Sequence, residues 1–197
     1  MSARARRRTG EPRAPRARLF VLASSCALAL ACRSSGGAPP AEADTAAIEA
    51  TLDELYRAFD FDAGGEADWS AIRALALDGA VFVAPVAAGR PVRAVGTEEF
   101  LRDFRRYVAS AEVRATGLHE RIVAVRVDRF GAVAHAYVAF EGSLPATGTA
   151  VSRGLDSVQL VLDQGRWKLV SFTTQYASAD APLPGRFLAG TRGASDR

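Results

Sequence analysis

The sequence predicts an α+β domain with helices packed on one face of an antiparallel sheet. Three observations predict it. Apolar residues recur at helical spacing in three segments up to Ser110, about 45–60, 68–77 and 97–110, and from Gly117 onward the period changes to that of strands. The later strands are joined by short turn signals, RFG (129–131) and QG (164–165), so neighbours pair without a crossover and a parallel doubly wound sheet is not expected.

The first helix is expected over about 45–60, with Asp44 or Thr45 capping its open N–H groups. Ile48, Leu52, Leu55, Tyr56 and Phe59 then share one face. A short second helix in DWSAIRALAL takes Asp68 as cap and turns Trp69, Ile72 and Leu75 inward. AVFVAP (80–85) reads as a short strand ended by Pro85. A third helix follows Thr97 as cap, with Phe100, Leu101, Phe104, Tyr107 and Val108 on its apolar face. Glu98 and Glu99 lie in its first turn, where the helix dipole favours anions. The strands HERIVAVRVD, GAVAHAYVAFE, SRGLDSVQLVLD and RWKLVSFTTQYA complete the domain.

The ends have a separate logic. The formal charge of +3 hides a split: residues 1–32 hold seven Arg and one Glu, and the remainder is net acidic by three. Without a basic stripe the body offers no case for nucleic acid. A cationic stretch precedes the apolar run LFVLASSCALALA (19–31), the pattern of an export signal. As a helix that run reaches about 20 Å, short of a roughly 30 Å hydrocarbon core. LALAC resembles the lipobox of bacterial lipoproteins. The resemblance implies a signal peptide over 1–31, acylation of Cys32, and a protein of the bacterial cell envelope held to a membrane by that anchor. An ordinary cleaved signal with an incidental cysteine is the alternative. Residues 32–44 read as a flexible tether, 45–178 as the folded domain and 179–197 as a poorly ordered tail.

The order helix, short helix, strand, helix and four long strands resembles the nuclear transport factor two-like superfamily, which includes ketosteroid isomerase and SnoaL-like cyclases. YRAFDFDAGGEADWSAIRAL, HERIVAVRVDRFGAVAHAYVAFE and RGLDSVQLVLDQGRWKLVS resemble one bacterial branch of it, largely uncharacterised. The resemblance implies a cystatin-like α+β cone, with a curved antiparallel sheet packed against about three N-terminal helices. It also implies a pocket between the sheet and the helices, and frequent homodimers through the sheet. The chain departs from the branch at SFTTQYAS, where Trp and acids are common.

Asp156 is the first candidate for chemistry. It shares strand parity with Val158, Leu160 and Leu162, and a carboxylate on a core face loses hydration, which raises its pKa unless it is paired. In ketosteroid isomerase a carboxylic acid kept neutral by an apolar site donates to an oxyanion. The alternative is a partly wet strand-end Asp. Tyr56, on the helical stripe, either donates beside Asp156 or fills core. His135 shares a face with Tyr137; it is a general base if that mixed face lines the pocket, and structural if the smoother face of Ala134, Ala136, Val138 and Phe140 is the core. Thr173, Thr174, Gln175 and Tyr176 of TTQY suit either ligand orientation or a solvated strand end, with Thr173, Gln175 and Trp69 the candidate ligand contacts, and His119 with Glu120 reads as a surface pair. Two His and no Cys beyond residue 32 leave no usual zinc spacing, and no P-loop, dinucleotide fingerprint or nucleophile motif appears, so no metal and no cofactor are expected. Three readings are open: a lipid-anchored domain binding a small apolar or amphipathic ligand; an isomerase, dehydratase or cyclase using Asp156, Tyr56 and His135; or a dimerising module with a filled core. A cavity of several hundred Å³ would separate the first two from the third.

Overall fold

The computed structural model describes residues 40–86, 89, 91–143 and 151–189; Cys32, the signal segment and residues 32–39 lie outside the described residues. Four helices and seven strands succeed one another as α1 (Pro40–Phe59), β1 (Phe61–Asp62), α2 (Trp69–Leu75), β2 (Ala76–Val86), β3 (Ala94–Gly96), α3 (Thr97–Val108), α4 (Ala111–Thr116), β4 (Gly117–Phe130), β5 (Val133–Ser143), β6 (Val151–Asp163) and β7 (Arg166–Tyr176). The strands form one curved sheet in the order β1-β4-β5-β6-β7-β2-β3.

The helical stripe of α1 behaves as its spacing dictates: Ile48, Leu52 and Leu55 are fully buried, with Tyr56 and Phe59 nearly so. They pack on the inward residues of the sheet, among them Ala136, Val138, Val158 and Leu160. Asp68 caps α2, its side chain accepting from the backbone N–H groups of Ser70 and Ala71. β4, β5, β6 and β7 form the antiparallel meander, and β5 and β6 pair without interruption from Val133 opposite Val161 to Ser143 opposite Val151.

Several details differ from the sequence reading. α1 begins at Pro40, so residues 40–44 of the expected tether are helical; proline is tolerated in a first helical turn because its missing N–H has no partner there anyway. The cap of α3 is Gly96, with no side-chain bond, and Thr97 is already helical. α4 was not anticipated: six residues are too few to show a helical period, although Ser110 caps it. The sheet is not wholly antiparallel, because β2 pairs with β7 in parallel. Most of the domain separates those two strands, so no tight turn dictates their direction. In the segment expected to be poorly ordered, a 3₁₀ turn at Gly185–Phe187 sets the Phe187 ring 4.9 Å from that of Tyr137 on the outer face of β5.

Two β-bulges decide which side chains of the sheet turn inward. In β4 the register passes from Ile122 opposite Phe140 to Ala124 opposite Ala139, leaving Val123 as the extra residue. In β7 it passes from Leu169 opposite Leu160 to Ser171 opposite Gln159, leaving Val170 extra. Each bulge bends its strand and reverses the alternation beyond it.

Candidate functional site

Asp156 sits in mid-sheet, with Val138 opposite it on β5 and Thr174 opposite it on β7. β6 carries no bulge against β5, so Asp156 keeps the parity of Val158 and Leu160 and faces the core, only 3 % exposed. From α1 the Tyr56 hydroxyl donates to Asp156 Oδ2 at 2.5 Å across a hundred residues of sequence. The other oxygen, Oδ1, is buried with no hydrogen-bond partner among the described residues. Burial pushes the Asp156 carboxyl up to about 7; hydrogen bonding from Tyr56, and the nearby Thr174 hydroxyl, draws it part of the way back. Burial first, and then the Asp156 charge, hold the Tyr56 phenol well above its ordinary range, so it remains a donor.

Asp156 lines a cavity of about 100 Å³ between the sheet and the helices. Its walls are largely aromatic. Phe100 stacks on Phe82 at 4.3 Å and nearly parallel to Phe104 at 5.7 Å, while Phe59 meets Phe104 edge-on at 5.2 Å. Phe140 meets Tyr176 edge-on at 5.8 Å on another side. The polar groups at the cavity are Glu120, Asp156, Thr174, Tyr107 and Tyr176. The volume falls short of the several hundred Å³ that would separate a ligand or active site from a filled core, so by volume alone it favours the filled core; it admits only a small molecule or the end group of a larger one. Tyr56 does not line the cavity itself; it holds the carboxylate from behind.

Glu120 was overlooked in the sequence, where its neighbour His119 made the two look like a surface pair. Adjacent strand residues face opposite ways. His119 turns outward, with Nδ1 2.8 Å from Asp60 Oδ1, while Glu120 turns inward with Leu118 and Ile122, its stem against Gly142. Burial, then the charges of Asp156 and Asp60, raise the Glu120 carboxyl to about 7. Two carboxyls poised near neutrality therefore face one apolar space.

The other sequence candidates are placed elsewhere. His135 lies on the outer face, because Ala134, Ala136, Val138 and Phe140 are the buried set; its Nε2 is 2.9 Å from Ser157 Oγ and its ring 4.3 Å from Tyr137. It cannot act as a base in the cavity. Thr173 and Gln175 also face away. Alternation counted from the buried Trp167 and Leu169 runs to 171, 173 and 175, but the extra Val170 turns Phe172, Thr174 and Tyr176 inward instead. Trp69 stands behind the cavity wall, edge-on to Phe104 at 5.8 Å, with the Arg105 guanidinium 5.0 Å from its ring. Among the described residues no group of three His, Cys, Asp or Glu side chains is arranged to hold a metal ion.

Removing the Tyr56 hydroxyl as Tyr56→Phe should destabilise the fold by about 1–3 kcal/mol, because it takes the α1 donor away from a buried carboxylate. The loss should be larger at alkaline pH, where the ionised form loses the bond that favours it. Urea unfolding at two pH values checks both points; equal, negligible losses would show that the bond contributes nothing.

No protein-family model and no curated relative matches the chain. Solved structures do. A protein from Kribbella flavida is 21 % identical with a TM-score of 0.53, covering 70 % of this chain and 93 % of its own. A candidate dehydratase of the NTF2-like family from Streptomyces avermitilis is 18 % identical with a TM-score of 0.54, covering 71 % of this chain and 99 % of its own. A protein of unknown function with a cystatin-like fold from Nostoc punctiforme is 12 % identical with a TM-score of 0.54, covering 70 % and 93 %.

Proposed function

Given the NTF2-like, cystatin-like cone fold of the chain, we propose that the protein is an exported, lipid-anchored domain that binds a small, largely apolar molecule in the cavity at Asp156. One observation carries the binding reading: Asp156 Oδ1 is buried, unpartnered, and belongs to a side chain that lines an aromatic cavity. A buried polar atom left unsatisfied costs about 1–3 kcal/mol, and a ligand donor would recover it. A group kept at that cost in mid-sheet, where Asp is a poor strand residue, points to use rather than packing. The export signal and the lipobox around Cys32 support the anchored location.

Extraction of the purified full-length chain, with mass spectrometry of what it releases, tests binding. A small molecule should come away from the wild type and be missing from Asp156→Leu, which should be at least as stable because it trades an unsatisfied acid for an apolar side chain. The same molecule on both proteins would refute the site. For the anchor, Cys32→Ser should move the protein from membrane to soluble fractions; unchanged membrane association would exclude lipidation at that residue.

A second reading rests on a specific observation, the two carboxyls at about 7 facing one cavity. A protonated carboxyl can protonate a leaving hydroxyl while an ionised one takes a carbon-bound proton, the division of labour a dehydration or isomerisation requires. The Streptomyces avermitilis neighbour is named for the first of these reactions. Here Tyr56 would hold Asp156 in place and Glu120 would be its counterpart; His135 takes no part.

A further inference from the structure

The charges around the cavity are unbalanced, and the imbalance identifies a ligand class. Several acids elsewhere in the domain are matched with arginines. Glu141 is held between Arg121 and Arg153, Glu98 by Arg73, and Asp103 by Arg93. The cavity is different. Two acids, Glu120 and Asp156, line it, and no Lys, Arg or His does so among the described residues. The donors near Asp156 are neutral hydroxyls, Tyr56 on Oδ2 and Thr174 close by, and Oδ1 has no hydrogen-bond partner among the described residues. The remaining polar lining, Thr174, Tyr107 and Tyr176, is uncharged, since burial and the nearby acids raise both phenols above their ordinary range. The other surfaces are ring faces and edges, which attract cations electrostatically.

We propose that the molecule held in this cavity is a small organic ammonium, whose N–H donates to Asp156 Oδ1 and whose charge is balanced by Asp156 and Glu120. The proposal rests on the ligand-binding reading and names its ligand class. An ammonium supplies both things the site lacks, a donor for Oδ1 and a positive charge in low dielectric, where an unpaired buried carboxylate is costly. A carboxylate or phosphate ligand would add a third negative charge. A carbonyl compound could pair only with the protonated form of Asp156, accepting its proton, and would bind more weakly as the pH rises, the opposite of an ammonium. The aromatic walls suit a short alkyl chain, and a cavity of about 100 Å³ is several times the roughly 10–15 Å³ that holds one water, which leaves room for an amine of a few carbons.

The groups facing the two acids come from every neighbouring element: Tyr56 from α1, Tyr107 from α3, Tyr176 from β7, and Asp60, His119, Arg121 and Glu141 around the outer side of Glu120. Of these the basic ones are already engaged, His119 with Asp60 and Arg121 with Glu141. Burial raises both carboxyls to about 7, and a bound cation would favour their ionised forms.

The test is calorimetric titration of the full-length chain with n-butylammonium, n-butanol and butyrate, which share one chain and differ in charge. At about pH 8 n-butylammonium should bind at least about tenfold more tightly than n-butanol, with butyrate weakest. At about pH 6 protons compete for both acids, and n-butylammonium affinity should fall by about tenfold. Asp156→Asn and Glu120→Gln should each weaken n-butylammonium by about tenfold or more, and His135→Ala, on the outer face, should change nothing. If Asp156→Asn fails to fold, Glu120→Gln at the cavity edge carries the comparison. Equal affinity for n-butanol and n-butylammonium would overturn the ammonium assignment while leaving a ligand site in place. Binding by none of the three would also overturn it, and the extraction experiment then decides separately whether the cavity holds any ligand.

Discussion

Raising the pH from about 5 to about 8 is expected to destabilise the folded domain by about 2–5 kcal/mol, a large part of the typical total for a small domain. The sign comes from the direction of the shifts. Asp156 and Glu120 hold their protons up to about 7 in the folded chain, against ordinary values of 3.8 and 4.5. The folded state binds more protons than the unfolded one between those limits, so the stabilisation is fully present below about pH 4 and is lost as the pH climbs through about 7. Groups shifted the other way, the exposed Asp68 and Glu98 and the half-buried Asp103, have lowered values, and their smaller, solvent-screened contribution is lost on the acid side of this window. Chemical denaturation across the range checks the trend. Asp156→Asn should flatten it by about half and be more stable than the wild type at about pH 8. Stability that is level or rises with pH would show that these acids are neither buried nor unpaired as described.

Gly154→Ala should cost about 2–4 kcal/mol, large for one added methyl group. A Cβ at position 154 would stand 2.4 Å from Phe140 Cζ, 2.6 Å from Cε1 and 2.9 Å from the Gln175 carbonyl oxygen. The carbonyl belongs to the β6–β7 ladder and cannot withdraw without breaking it, so the ring must move. Phe140 lines the cavity and meets Tyr176 edge-on, so its displacement should also weaken whatever the cavity binds. Thermal unfolding, read together with titration of n-butylammonium, separates the two effects. A variant as stable as the wild type would mean that the ring has room that the packing does not show.

The fold was largely legible because its signals are long. The α1 stripe from Ile48 to Phe59 and the paired strands beside the QG turn each repeat a period over many residues. Asp156 was legible for the same reason, since β6 runs against β5 without a bulge and simple alternation holds along it. The rest of the site was hidden by single inserted residues. Val123 reverses the alternation of β4, so counting back from Val125 and Val127 places Glu120 outside when it is inside. Val170 does the same in β7: of the four polar residues of TTQY it turns Thr174 and Tyr176 inward and leaves Thr173 and Gln175 outside. Bulges leave little trace in a single sequence, yet here they aim the polar residues of the cavity. His135 was ambiguous for another reason: both faces of β5 are apolar enough to be core, and only the packing of α1 decides between them.

Binding, pH dependence and the ammonium assignment all turn on one group: Asp156 as a buried carboxyl with an unpartnered Oδ1, held half protonated at neutrality beside an aromatic cavity. The most direct measurement is a titration of its side-chain carboxyl carbon by NMR, assigned through the loss of the resonance in Asp156→Asn. A midpoint of about 7 is expected, moving lower when n-butylammonium is added because a cation favours the ionised form. A midpoint near the ordinary 3.8, unmoved by the cation, would contradict it.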